Sequence, residues 1–158
     1  MSDRITPCLW FDGKAEEAMT FYTSIFKNSK IGHIMYYGEA GPGPKGSVLS
    51  VTFELDGQAF MALNGGPMFT FSPAISFFVK CQTQAEVDEY WAKLSAGGET
   101  QQCGWLRDRY GVSWQIVPAV LGELLEGRDA GKAASVMRAM LQMEKLDIAK
   151  LKEAHAQG

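Results

Sequence analysis

The feature that most constrains this chain is an order of elements that occurs twice. A strand, a helix, another strand and a hairpin can be read across residues 5–63, and the same series returns across residues 74–117. The first strand-to-helix block recurs at an offset of about 69 residues, and the closing hairpin strands at an offset near ~54, judged from element spacing. The difference falls on residues 38–46, a Gly- and Pro-rich segment that lengthens the first copy. A duplicated β-α-β-β-β unit predicts an α+β fold. Paired modules would form a curved mixed sheet, with helices on its outer face and a cleft on its concave face.

Each copy has local support. In residues 5–11, Ile5, Pro7, Leu9 and Phe11 fall on one side and Thr6, Cys8 and Trp10 on the other. Pro7 has no N–H to donate and so belongs near a strand start or at an edge. Asp12-Gly13 turns the chain, and Asp12 is a candidate cap for a helix over residues 14–26, where Ala15, Ala18, Met19, Tyr22, Ile25 and Phe26 recur at helical spacing. Residues 30–37 read as a strand, and residues 38–46 as a mobile loop, either a lid or a plain surface excursion. Residues 48–55 alternate, with Thr52 and Glu54 facing away from the core; Asp56-Gly57 is a hairpin signal and residues 59–63 return. In the second copy a strand over residues 74–80 precedes a capping box, Thr83 with Glu86, and a helix with Val87, Tyr90, Trp91 and Leu94 on one stripe. Residues 99–103 and 104–108 are weaker strands, and residues 112–117 form the last one. Helices are expected around Leu121, Leu124 and Leu125, over residues 130–143 and over residues 146–155. The domain reading is a single domain over residues 1–158, with module one at 1–66, module two at 73–118 and a helical extension at 119–158.

Composition narrows the partners. The chain has 158 residues, 46% of them hydrophobic, enough for one core. Its 15 basic and 18 acidic residues are dispersed, with no basic cluster able to neutralise many phosphates, so nucleic acid is not expected as a partner. No apolar run reaches the length of a signal peptide core or a membrane span, so a soluble cytoplasmic protein with no membrane partner is expected. Cys8, Cys81 and Cys103 are odd in number, widely spaced and without a CxxC pair, as reduced thiols would be. No GxGxxG, Walker loop, HExxH or nucleophile elbow supports dinucleotide binding, phosphoryl transfer or zincin chemistry.

Residues 5–22 (ITPCLWFDGKAEEAMTFY) resemble the opening of the PhnB-like family. Residues 73–79 (PAISFFV) and 108–118 (DRYGVSWQIVP) extend the resemblance into the second copy, and residues 136–148 (VMRAMLQMEKLDI) resemble the family's end, so that essentially the whole chain is spanned. That family, often labelled with a 3-demethylubiquinone-9 3-methyltransferase name, belongs to the vicinal oxygen chelate superfamily of glyoxalases, ring-cleaving dioxygenases and bleomycin-resistance proteins. The resemblance implies the superfamily fold and a homodimer, to which the apolar C-terminal helices would offer a surface. In metal-dependent relatives four His and Glu ligands come from the first and last strands of each module. Carried over by position, these fall on Thr6, Met61, Ala74 and Gln115. A divalent ion takes carboxylates or imidazoles, which none of the four supplies. The two histidines, His33 and His155, are expected away from these positions, and no metal or cofactor is expected.

Strand parity places Thr6, Cys8, Trp10, Met61, Ala74, Ser76, Phe78, Ser113 and Gln115 toward the cleft, on a register that a one-residue slip would invert. Of these, Cys8, Trp10, Met61, Ser76, Phe78, Ser113 and Gln115 are the candidate ligand contacts. Gln115 offers a donor and an acceptor that could orient a ligand carbonyl or amide, or be used in an internal hydrogen bond. Cys8 is a nucleophile only if ionised; with no base nearby it reads as a small buried hydrophobe. Trp10, Trp105 and Trp114 are candidates for stacking on a planar ligand, with Trp114 facing the helices and Trp10 the better placed. Arg107, Asp108 and Arg109 either recognise an anion or form a solvated turn. No catalytic residue is identified. The expected function is binding of a small organic molecule. The alternatives are a lyase or dioxygenase-like enzyme of the same superfamily, or an interaction module whose cleft is filled by its own side chains.

Overall fold

Alternation in the sequence becomes two four-stranded sheets in the computed structural model, which describes residues 4–158. The chain divides into two units, one ending at Phe71 and one spanning Ser72–Gly158. The first contains β1 (Cys8–Phe11), α1 (Ala15–Ile25), β2 (Lys30–Tyr36), β3 (Val48–Leu55) and β4 (Gln58–Asn64), in sheet order β1-β4-β3-β2. The second contains β5 (Ser76–Cys81), α2 (Gln84–Ser95), β6 (Glu99–Thr100), β7 (Trp105–Arg107) and β8 (Ser113–Pro118), in order β5-β8-β7-β6. Three further helices, α3 (Ala119–Glu126), α4 (Ala130–Leu141) and α5 (Ile148–Gln157), complete the second unit. The two sheets share one topology. Cys8 lies beside Met61 in the parallel pair β1–β4, as Phe78 lies beside Gln115 in the parallel pair β5–β8.

In the first unit, α1 buries Ala15, Ala18, Met19, Tyr22 and Ile25. Tyr22 stacks over Phe53 at 6.4 Å between ring centroids, and Phe53 over Phe60 at 5.6 Å. Val51, Phe53, Leu55, Phe60 and Ala62 are buried, while Thr52, Glu54, Ala59 and Met61, of opposite parity, are half-buried. The hairpin between β3 and β4 turns on Asp56 at φ 47° and Gly57 at φ 81°. Two consecutive positive φ values define the turn whose twist matches the flanking strands.

Several expectations shift. Asp12 does not cap α1: the N-cap is Lys14, without a side-chain bond, and the Ala15 amide donates instead to Asn64 Oδ1 at 2.9 Å. Gly13, at φ 75°, stands between Asp12 and the cap and turns the chain there. Both leading strands begin later than alternation predicts, at Cys8 and Ser76, although the Met61 amide still reaches Pro7 O at 2.8 Å. Ala74 falls in the turn before β5, where its amide donates to Ser72 Oγ at 3.3 Å. The strand expected over residues 99–103 shrinks to two residues, because Cys103 adopts φ 61° and its amide donates to Met143 O at 2.7 Å. The capping box at α2 forms as expected, with Glu86 N donating to Thr83 Oγ1 at 3.2 Å.

The C-terminal helices pack by Val117, Leu121, Val136, Leu146 and Leu151, with Met140 and Met143 filling the margin. Gln84 ties them to α2: its Nε2 donates to Leu146 O at 3.0 Å, and its Oε1 accepts from Ile148 N at 2.8 Å.

The charged triplet before β8 contains an internal brace. Asp108 is 2% exposed; its Oδ1 accepts from Tyr110 N at 2.8 Å and Val112 N at 3.0 Å, and its Oδ2 accepts from Trp114 Nε1 at 2.9 Å. It is therefore neither solvated nor placed to meet an anion. Arg107 pairs with Glu99 at 3.0 Å, and Arg109 Nε donates to Ala96 O at 3.1 Å. Asp108→Ala leaves three donors without that carboxylate and should lower unfolding free energy by about 3 kcal/mol in denaturant titration. Arg107→Ala, which breaks only an exposed pair, should cost no more than ~1 kcal/mol.

Candidate functional site

The open face of the first sheet carries a cavity of about 520 Å³. Its register explains its lining. Thr52 faces Met61 across β3–β4, and Glu54 faces Ala59 on one side and Lys30 on the other. Thr6, two residues ahead of Cys8 on the same parity, lines the same cavity. A bulge in β2 between Ile31 and Ile34 then brings in His33, whose amide donates to Thr52 Oγ1 at 2.9 Å. Gly32 is required beside it, since a Cβ there would collide with Thr52 Oγ1. His33 thus stands in one cavity with Thr6 and Met61, contrary to its expected distance from both.

The sequence reading also missed Glu54 as a site residue. The signal was present in the Asp56-Gly57 hairpin, because a tight turn fixes which β3 side chains share a face with Met61. His33 had no comparable signal. A bulge changes parity without a mark in the alternation.

The remaining candidates divide between the units. In the first, Cys8 is exposed rather than buried, because Leu9 and Phe11 take the buried parity of β1. Its thiol is nevertheless partly desolvated, which pushes its pKa above the ordinary value. Trp10 is held within its own unit: its Nε1 donates to Gly66 O at 2.8 Å, and Phe69 meets it edge-on at 5.0 Å. A Cβ on Gly65 would strike the indole.

In the second unit, Gln115 Nε2 donates to Ser76 Oγ at 3.0 Å, the internal bond weighed for it. Phe78 is exposed, beside Gln115 on β5, and Trp105 flanks Gln115 on β7. Ser113 is buried. Trp114 is buried too, 5.3 Å from Phe77 and bonded to Asp108, on the parity opposite to Gln115.

Thr6 and Met61 lie in the first unit, Ala74 and Gln115 in the second. A hydroxyl, a thioether, a methyl group and an amide do not make the donor set of a divalent-metal site. Among the described residues no group of three or more His, Cys, Asp or Glu side chains is gathered as a metal would need.

The model of the family described as 3-demethylubiquinone-9 3-methyltransferase matches residues 3–117. That span ends in β8 and leaves out residues 136–148, which the sequence reading joined to the family. A PhnB protein from Bacillus cereus is 45% identical, with a TM-score of 0.68 over 74% of this chain and 100% of that one. Protein PA1353 from Pseudomonas aeruginosa, 22% identical, shares the fold at a TM-score of 0.57 over 72% of this chain and 96% of its own. The fosfomycin resistance protein FosX from Listeria monocytogenes, 17% identical, shares it at 0.57 over 80% and 99%. No match was found among curated proteins.

The thiols differ enough to be separated chemically. Burial, and secondarily the Glu86 carboxylate, push Cys81 up to about 12. Thiolate is the reactive form, so a raised pKa slows alkylation at neutral pH. Iodoacetamide labelling followed by mass spectrometry should modify Cys8 before Cys81. The Cys8 rate should keep climbing as pH passes the ordinary thiol range instead of levelling there.

Proposed function

We propose that this chain, which belongs to the 3-demethylubiquinone-9 3-methyltransferase family of PhnB type and has the glyoxalase/bleomycin resistance/dioxygenase fold, binds a small organic molecule without a metal. The observation that carries this reading is the cavity of about 520 Å³ on the open face of the first sheet. Small-ligand sites span roughly 300–1,000 Å³, mostly apolar with a few converging polar groups. Here Met61 and Ala59 supply apolar wall, while Thr6, His33 and Glu54 supply hydrogen-bonding groups of both kinds. Such a lining suits a compact molecule with one polar end. The protein acts as a cytoplasmic homodimer, and the exposed Met137 and Leu141 on α4 offer an assembly surface.

A metal-free enzyme is the second reading, and His33 with Glu54 favours it. One imidazole and one carboxylate in the same cavity are the usual means of moving a proton on and off a bound substrate, which fits a lyase better than a dioxygenase.

Native mass spectrometry with elemental analysis, on protein never exposed to chelator or a metal-affinity column, tests the binding reading. A small organic adduct without stoichiometric divalent metal is expected, and EDTA should leave both the adduct and Tm unchanged. Met61→Trp, which fills the cavity, should remove the adduct. A stoichiometric metal whose extraction releases the ligand would overturn the proposal. The enzymatic reading expects Glu54→Gln to keep the ligand and lose its conversion.

A further inference from the structure

The first unit has two cavities, and one of them contains a feature that its sheet does not need. The other, about 480 Å³, lies between the Asp12-Gly13 turn and the 38–46 loop. Its wall serves the fold: Asn64 Oδ1 accepts from Ala15 N at 2.9 Å, Asn64 Nδ2 donates to Val48 O at 3.1 Å, and Tyr37 Oη donates to Asn64 O at 2.5 Å. The loop, expected to be mobile, is closed at its base by Tyr37 N to Ser47 O and Gly46 N to Tyr37 O, both 2.8 Å.

For the cavity around Met61, the second copy supplies a comparison. The sheet orders make β2 the counterpart of β6, and β3 that of β7. Lys30 facing Glu54 then corresponds to Glu99 facing Arg107, and Thr52, across from Met61, corresponds to Trp105, across from Gln115. In the second copy a single residue, Gln101, passes Trp105, its amide donating to Trp105 O at 2.9 Å. In the first copy two residues, Gly32 and His33, pass Thr52. The His33 amide donates to the Thr52 hydroxyl at 2.9 Å instead of to a carbonyl. The charges differ as well: Arg107 pairs with Glu99 at 3.0 Å, whereas no ion pair joins Lys30 to Glu54 among the described residues. One design thus appears twice, and only the copy with the cavity carries the bulge.

The bulge decides where the imidazole stands. Without it, alternation from Ile31 puts Gly32 across from Thr52 and His33 across from Val51, on the face opposite to the cavity. Gly32 and Thr52 are matched to hold it. A Cβ on Gly32 would overlap Thr52 Oγ1 and stand 2.7 Å from Thr52 O, so the two strands approach this closely only with glycine there. Threonine is β-branched, which restricts where its hydroxyl can point. We infer that Thr52, with Gly32, is the positioning residue for His33: its hydroxyl takes the extra amide, fixes the bulge and so holds the imidazole in the cavity with Glu54, Thr6 and Met61. The inference rests on the reading of this cavity as the ligand site. Valine at position 52 keeps the shape and removes the acceptor, which frees β2 to straighten; serine keeps the acceptor.

The test is run without ligand. The full chain, carrying ¹³C-methyl methionine, is titrated with acid through the imidazole range while the Met61 methyl resonance, assigned with Met61→Leu, is followed. His33→Gln gives the background contributed by Lys30, Glu54 and every other group. Above that background the Met61 methyl should shift in the wild type and in Thr52→Ser. In Thr52→Val the shift should fall to background while Tm stays near that of the wild type, and Gly32→Ala, which disturbs the same contact from the other strand, should lose it too. A wild type with no His33-dependent shift, Thr52→Val or Gly32→Ala responding as the wild type does, or Thr52→Ser falling to background would each overturn the proposal. Native mass spectrometry decides separately whether the cavity holds a ligand, so a positioned His33 in a protein without an adduct counts against the binding reading alone.

Discussion

Parallel pairing between the first and last strand of each unit is the constraint from which the remaining architecture follows. Two parallel neighbours cannot be joined by a tight turn; the chain must leave the sheet and return, and a helix is the usual way. In both units that helix covers one face, which decides where apolar residues go and leaves the other parity for polar, half-exposed side chains. Met61 beside Cys8 and Gln115 beside Phe78 are therefore equivalent places in two copies of one design. Asn64, the last residue of β4, sits where this closure is made, bonded at once to the start of α1, the start of β3 and Tyr37, the residue that follows β2.

That logic also accounts for what could be read in the residues beforehand. Alternation over residues 48–55 places Phe53 inside and Glu54 outside, and the structure agrees, because a two-residue turn with positive φ at Asp56 and Gly57 admits one register. Trp114 and Gln115 fall on opposite parities as successive residues of one strand. What escaped the reading has a different physical cause in each case. Asp12 looks like a cap until Asn64, 49 residues beyond Ala15, takes the amide. Asp108 looks solvated until the chain folds three donors onto it. Cys8 was judged by residue type, whereas its exposure follows from parity. His33 entered its cavity through a bulge, which periodicity does not record.

The first unit thus holds two hollows of different character. One combines an imidazole, an ammonium and a carboxylate with a thioether; the other carries Asp12 and Glu16 as its charged groups, framed by glycine, proline and Tyr37. Of the four positions to which the family resemblance pointed, Thr6 and Met61 line the first hollow, as a hydroxyl and a deformable thioether.

The long-range tethers have a consequence for the order in which the protein is made. β1 has no partner in its sheet until β4 follows, so the first unit closes only when Asn64 has been added. Everything it needs is then present. The second unit waits longer. Gln84 at the start of α2 is bonded to Leu146, 62 residues on, and the Cys103 and Gly104 amides to Met143 and Glu144. Its helix and sheet can gather beforehand, but they are secured only once residues 143–148 have been added. A growing chain therefore carries one finished unit and one provisional one between the addition of Asn64 and that of Ile148, and a truncation before Leu146 would harm the distant start of α2 more than the whole of the first copy.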